Sequence, residues 1–186
     1  IAYMALHPEQ SPFVIVCPAN VKYNWRNELA KWLPDRSVEI VKTGAQNIEA
    51  QSDIVIINYD LMSKQLERLC HLNPGGLIID ESHYLKNSDA KRTEATLTLA
   101  TLCPTVLCLS GTAISSRPKE FYNTLNLLKP EQFPSFWTFA QRYCDAYHNG
   151  AKHSALTMTK RLTIGGTSMR TTLTLEECHR DSSSIC

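Results

Sequence analysis

Four short apolar runs constrain this chain more than any other feature: SPFVIVCP at 11–18, DIVIINYD at 53–60, GGLIID at 75–80 and TVLCLS at 105–110. Each is rich in β-branched residues, too short for a helix, and closed by Pro, Asn, Asp or Ser. Continuous rather than alternating hydrophobicity is the pattern of strands covered on both faces. SVEIVKTG at 37–44 reads as a further strand. Between and after these runs lie NVKYNWRNELAKWLP, DLMSKQLERL, SDAKRTEATLTLATL, RPKEFYNTLNLL and FPSFWTFAQRYCDAY, all with helical character. Strands alternating with helices at short intervals predict an α/β fold, a mostly parallel sheet with helices on both faces.

In the first of these helices Val21, Trp25, Leu29 and Trp32 recur at steps of four, four and three. The resulting stripe is expected to face the sheet, with Lys22, Arg26, Glu28 and Lys31 largely off it. Asn20 is the expected N-cap and Pro34 the stop. Ser88 or Asp89 is expected to cap the helix before the last strand, and Pro118 sits where a first turn tolerates it.

A net charge of +1 supplies no global attraction to nucleic acid, so any such contact depends on local placement. The seven cysteines form no C-x-x-C pair, which argues against a zinc site or disulfide framework and for a reducing compartment. No apolar run approaches the ~18 residues of a membrane span. The chain opens on Ile1 rather than Met and is expected to be part of something longer. Residues 149–186 form a separate, divergent tail. Its stretch 151–186 holds 12 Ser/Thr and none of the 15 aromatic residues, and it is expected to be poorly ordered.

In parallel sheets ligands bind at the carboxyl ends of strands. Asp80, Asn58, Pro18 and Ser110 all stand at or just beyond such ends. Asp80 and Glu81 close a buried strand side by side, an arrangement suited to magnesium–nucleotide chemistry. One carboxylate holds Mg²⁺ through water while the next orients or deprotonates an attacking water. A bare Asp-Glu pair equally suits an acidic turn, or the metal pocket of a receiver-type domain. The surroundings sharpen the reading: Ser82-His83 follow directly, and the next strand ends thirty residues on in Ser110-Gly111-Thr112, whose hydroxyls can meet His83.

The series VCPANVKYNWRNEL, IINYDLMS, LIIDESHYLKN and LSGTAISSRPKEFYNTL resembles the first motor lobe of the Swi/Snf-type helicase-like ATPases of superfamily two. The SGT-x-x-x-SRP-x-EFY spelling and QRYCDAY are most similar to the annealing-helicase (HARP-like) branch, which remodels replication forks. The resemblance covers residues 1–148. It implies a RecA-like, P-loop NTPase-type lobe, incomplete at its N-terminus, in a nuclear DNA-dependent ATPase acting in repair. It further implies that Asp80 binds Mg²⁺–ATP through water and that Glu81 activates the attacking water. His83 with Ser110, Gly111 and Thr112 would couple nucleotide state to DNA grip. Pro18, Ala19, Asn20, Asn58 and Tyr59 would touch the phosphates of duplex or forked DNA, contacts that carry no sequence information. A second motor lobe is the implied partner.

Two departures stand out. No G-x-x-x-x-G-K-[ST] occurs in the 186 residues, so the phosphate-binding loop is expected before Ile1 and the chain alone is expected to lack ATPase activity. Ala113 stands where relatives usually carry Pro. A non-enzymatic binding module and an RNA-directed helicase lobe remain the alternatives.

Overall fold

The computed structural model describes residues 1–87, 90–111 and 121–144, and the backbone of 146–148, 155–164 and 167–176. The apolar runs become β1 (Phe13–Cys17), β2 (Val38–Ile40), β3 (Ile54–Asn58), β4 (Gly76–Asp80) and β5 (Thr105–Leu109). They form one sheet in the order β2-β3-β1-β4-β5, and every pairing is parallel. The central strands β1 and β3 are buried along their whole length, as their unbroken hydrophobicity requires.

The two-residue period of the pleat sorts the core into two layers. Val14, Val16, Val55, Ile57, Leu77 and Ile79 pack with Met62 and Leu69 of α3 (Met62–His71) and with Ala95 and Leu99 of α4 (Lys91–Leu102). Phe13, Ile15, Cys17, Ile54, Ile56 and Ile78 pack with Met4 of α1 (Ala2–Leu6) and Leu29 of α2 (Lys22–Trp32). Helices therefore cover both faces, as expected. At Gly75 an added Cβ would collide with the main chain of Gln10, so the turn into β4 tolerates no side chain. β5 forms one edge of the sheet and stays partly exposed, with Leu109 at 42%.

Several local expectations are corrected. Trp32 is 69% exposed, not on the sheet-facing stripe, and its indole N–H donates to Glu28 Oε2 at 3.2 Å. One turn earlier Leu29 is completely buried, and Leu33 just beyond the helix packs on the same core, so Trp32 alone of the stripe turns outward. Lys22, expected off the stripe, is buried. Asn20 is no N-cap: residues 19–21 form a 3-10 turn that runs into α2, with Val21 at the cap position and no side-chain cap bond. Ser88, Asp89 and Pro118 lie outside the described residues.

Beyond the sheet, α5 (Tyr122–Leu128) and α6 (Phe136–Cys144) join through aromatic contacts of Tyr122 with Phe136 and Phe139, at ring separations of 5.3 and 5.5 Å. The tail backbone runs as β7 (Ala155–Ile164) and β8 (Thr167–Glu176), antiparallel, with β6 (Ala146–His148) beside β7. Register places Leu156 opposite Leu175, Met158 opposite Leu173 and Leu162 opposite Met169.

Candidate functional site

Parallel pairing brings all strand ends to one edge. Cys17 is in register with Asn58 and Asp80 with Leu109, so Pro18, Tyr59, Glu81 and Ser110 follow one another along a single rim. That juxtaposition was expected from sequence.

Asp80 lies on the same side of β4 as Ile78, the side covered by α2. There the indole N–H of Trp25 donates to Asp80 Oδ2 at 2.8 Å, while the Glu81 main-chain N–H donates to Oδ1 at 3.0 Å. The Tyr59 hydroxyl donates to the main-chain oxygen of Asp80 at 2.7 Å and lies 3.4 Å from that of Glu81. Burial, reinforced by the nearby Asp80 carboxylate, pushes the Tyr59 phenol well above its ordinary pKa. It is a fixed donor.

Glu81 adopts φ 52° and ψ 53°, left-handed backbone that a β-carbon disfavours. This bend ends the strand and starts the 3-10 turn Ser82–Lys86. Non-glycine residues held in such geometry cluster at functional sites. Glu81 Oε2 is buried without a hydrogen-bond partner, although His83 Nδ1 lies 3.2 Å away. The same His83 nitrogen is 3.4 Å from Ser110 Oγ on the neighbouring strand. The expected meeting of His83 with a hydroxyl beyond β5 is thus found at Ser110. Thr112 lies outside the described residues. Among those residues nothing stands within 4 Å of a Cβ built at Gly111, so no crowding there demands glycine.

Of the residues expected to face phosphates, Ala19 and Asn20 are exposed and Pro18 is half-buried. Asn58 and Tyr59 are different: they are 7% and 3% exposed, and their polar groups turn inward. Asn58 Oδ1 accepts from Lys22 Nζ at 2.8 Å, and Lys22 also donates to the Val41 carbonyl at 2.9 Å. Burial lowers the Lys22 pKa. Through these bonds both side chains brace the rim from within.

A cleft of about 290 Å³ opens at the rim, lined by Pro18, Ala19, Asn20, Tyr59, Asp60, Tyr84 and Arg92. Tyr84 stacks on Tyr59 at 5.2 Å and an interplanar angle of 10°. Arg92 lies 5.9 Å over the Tyr84 ring and 3.7 Å from Asp60 Oδ1. Sequence reasoning missed Trp25 and Lys22 as partners of rim residues, and missed Tyr84 and Arg92 altogether. Trp25 carried a usable signal, because it lies in the first turns of a helix that follows a strand end directly. Arg92 carried none.

An all-parallel sheet sandwiched by helices, with two carboxylates, a histidine and a serine gathered at its carboxyl rim, has the architecture of a RecA-like ATPase lobe. The Sulfolobus solfataricus SWI2/SNF2 ATPase core in complex with dsDNA shares this fold, with a TM-score of 0.64 and 21% identity over 76% of this chain and 30% of that one. The chain belongs to the SNF2-related domain family, which it matches over residues 1–169. It is 36% identical over 149 residues to the SWI/SNF-related matrix-associated actin-dependent regulator of chromatin subfamily A-like protein 1 of Xenopus laevis, covering 78% of this chain and 15% of that protein. It is 31% identical over 156 residues to the DNA annealing helicase and endonuclease ZRANB3 of Bos taurus, covering 79% of this chain and 14% of that protein. The chain thus spans about a seventh of the length of these relatives.

Proposed function

We propose that residues 1–148 are part of the first motor lobe of a nuclear, ATP-dependent DNA translocase or annealing helicase acting on duplex or forked DNA, and that 149–186 form a divergent tail. The observation that carries this reading is the rim itself. Asp80 and Glu81 lie on the same carboxyl rim as Pro18–Asn20, and Glu81 is linked to Ser110 through His83, the positions where a motor must join hydrolysis to grip. The names of the relatives, a chromatin regulator and a DNA annealing helicase, support the substrate class.

The donor set fits an outer-sphere magnesium ion. Each oxygen of Asp80 accepts one internal hydrogen bond, which leaves acceptor capacity on both for metal-bound water. The Glu81 carboxylate, 40% exposed and held at Oε2 by His83 at 3.2 Å, fits the task of accepting a proton from water. Bound Mg²⁺–ATP supplies the phosphoryl group and the charge that neutralises it. The chain's own residues do the rest. Trp25 and the Glu81 N–H orient Asp80, Glu81 orients the attacking water and takes its proton, and His83 relays the state of that carboxylate to Ser110, and with it Gly111 and Thr112. Ala19 and Asn20 present the exposed surface for one strand's phosphates, with Asn58 and Tyr59 bracing it from below.

The 186 residues contain no G-x-x-x-x-G-K-[ST], so this chain by itself is expected to hydrolyse no ATP, and the motor reading is tested in the full-length protein. In that protein, Glu81→Gln should abolish DNA-stimulated hydrolysis and retain ATP binding. Forked DNA should stimulate the unsubstituted protein more than RNA of equal length. Undiminished hydrolysis in Glu81→Gln would overturn the motor reading, and equal stimulation by RNA would overturn its substrate.

A further inference from the structure

Trp25 has no reason to be a tryptophan if its task is only to fill the space between α2 and the sheet. It is half-buried on the inner face of α2, and its one polar atom is spent on the carboxylate at the end of β4, at 2.8 Å. An indole N–H can only donate, and a donor aimed at an ionised oxygen makes a short, charge-assisted bond. The other oxygen, Oδ1, receives the Glu81 N–H. Two donors on opposite oxygens hold the plane of the Asp80 carboxylate against rotation. Tyr59 meanwhile holds the carbonyl of the same residue at 2.7 Å. Asp80 is thus gripped from α2, from its own turn and from the segment after β3.

We infer that Trp25 is a positioning residue for the reaction, its indole N–H setting the orientation in which Asp80 meets the hydration shell of nucleotide-bound magnesium. This rests on the motor reading above. The residue touches neither metal nor nucleotide; it acts through Asp80. Outer partners of metal-holding groups commonly change metal affinity by 10- to 100-fold when removed. With Asp80 acting through water, a change of about tenfold is expected.

The test uses the full-length protein and a fluorescent ATP analogue, with the Mg²⁺ concentration for half-maximal nucleotide binding as the readout, so that turnover is not required. Trp25→Phe keeps an aromatic ring and removes the N–H. A second variant carrying benzothienylalanine at position 25 keeps the bicyclic shape and replaces the N–H by sulfur, so it isolates the hydrogen bond should the phenylalanine variant fold poorly. Both are expected to need about tenfold more Mg²⁺, with DNA affinity unchanged. Asp80→Asn runs in parallel. If Asp80→Asn raises the Mg²⁺ requirement and the benzothienylalanine variant leaves it within twofold, the positioning role is overturned and the motor reading stands. Should Asp80→Asn itself leave the requirement unchanged, the magnesium site fails, and the role of Trp25 with it.

Discussion

Tyr59 reaches across the end of the central strand to give its hydroxyl to the main-chain oxygen of Asp80 at 2.7 Å. β3 and β4 are not neighbours; β1 lies between them. The bond therefore ties the ends of two strands across a third, and it does so from a side chain that is 3% exposed. A buried carbonyl that loses its donor costs about 1–2 kcal/mol. Tyr59→Phe is expected to lower stability by that amount, read as a fall in the urea midpoint with unchanged slope. An unchanged midpoint would show that the bridge contributes nothing.

Lys22 makes a second strut, from the first turn of α2 to Asn58 Oδ1 and the Val41 carbonyl. Lys22→Met keeps most of the aliphatic stem and leaves both acceptors unmet, at an expected cost of about 1–3 kcal/mol. Replacing Asn58 by leucine in the same background should cost less than the sum of the two single changes, because they share one bond. Strict additivity in that double-mutant cycle would contradict the geometry.

Leu29 and Trp32 occupy adjacent turns of the same helix and should behave oppositely. Leu29 is fully buried against Ile15 and its neighbours, so Leu29→Ala is expected to cost about 2–5 kcal/mol. Trp32 is 69% exposed, so Trp32→Ala is expected to stay within about 0.5 kcal/mol. Thermal unfolding of the two variants side by side checks the order, and a larger loss for Trp32 would reverse the assignment of faces.

Cys17 predicts an alkaline limit. Burial, then the nearby Asp80, pushes its thiol from the ordinary 9.0 up to about 12. The folded state therefore keeps a proton that the unfolded chain gives up above pH 9.0, and the stability this provides is present below that pH and lost as pH rises toward 12. Cys17→Val removes the ionisable group from a buried position that favours apolar packing. Its stability should fall less steeply than that of the unsubstituted protein between pH 9.0 and 12, measured by urea unfolding at each pH. Parallel slopes would show that Cys17 does not titrate differently on unfolding.

Sequence alone determined the sheet, its parallel sense, its two helical layers and the edge on which the chemistry gathers. Those features follow from local rules: unbroken apolar runs demand burial on both faces, short helical connections demand parallel strands, and parallel strands bring their carboxyl ends together. The Asp80–Glu81 pair and the His83–Ser110 meeting were legible for the same reason, since each sits where a strand stops. Tertiary structure decided which polar atoms face inward. Trp25 on Asp80, Lys22 on Asn58 and Tyr59 on the Asp80 carbonyl join residues 55, 36 and 21 positions apart, beyond the reach of any periodicity. A helical stripe says which side of a helix is apolar; it does not say which of its edge positions finds a buried partner, which is why Trp32 lies outside and Lys22 within. The seat of α2 on the sheet depends on the whole packed layer, and it is what brings Trp25 to Asp80 and Lys22 to Asn58.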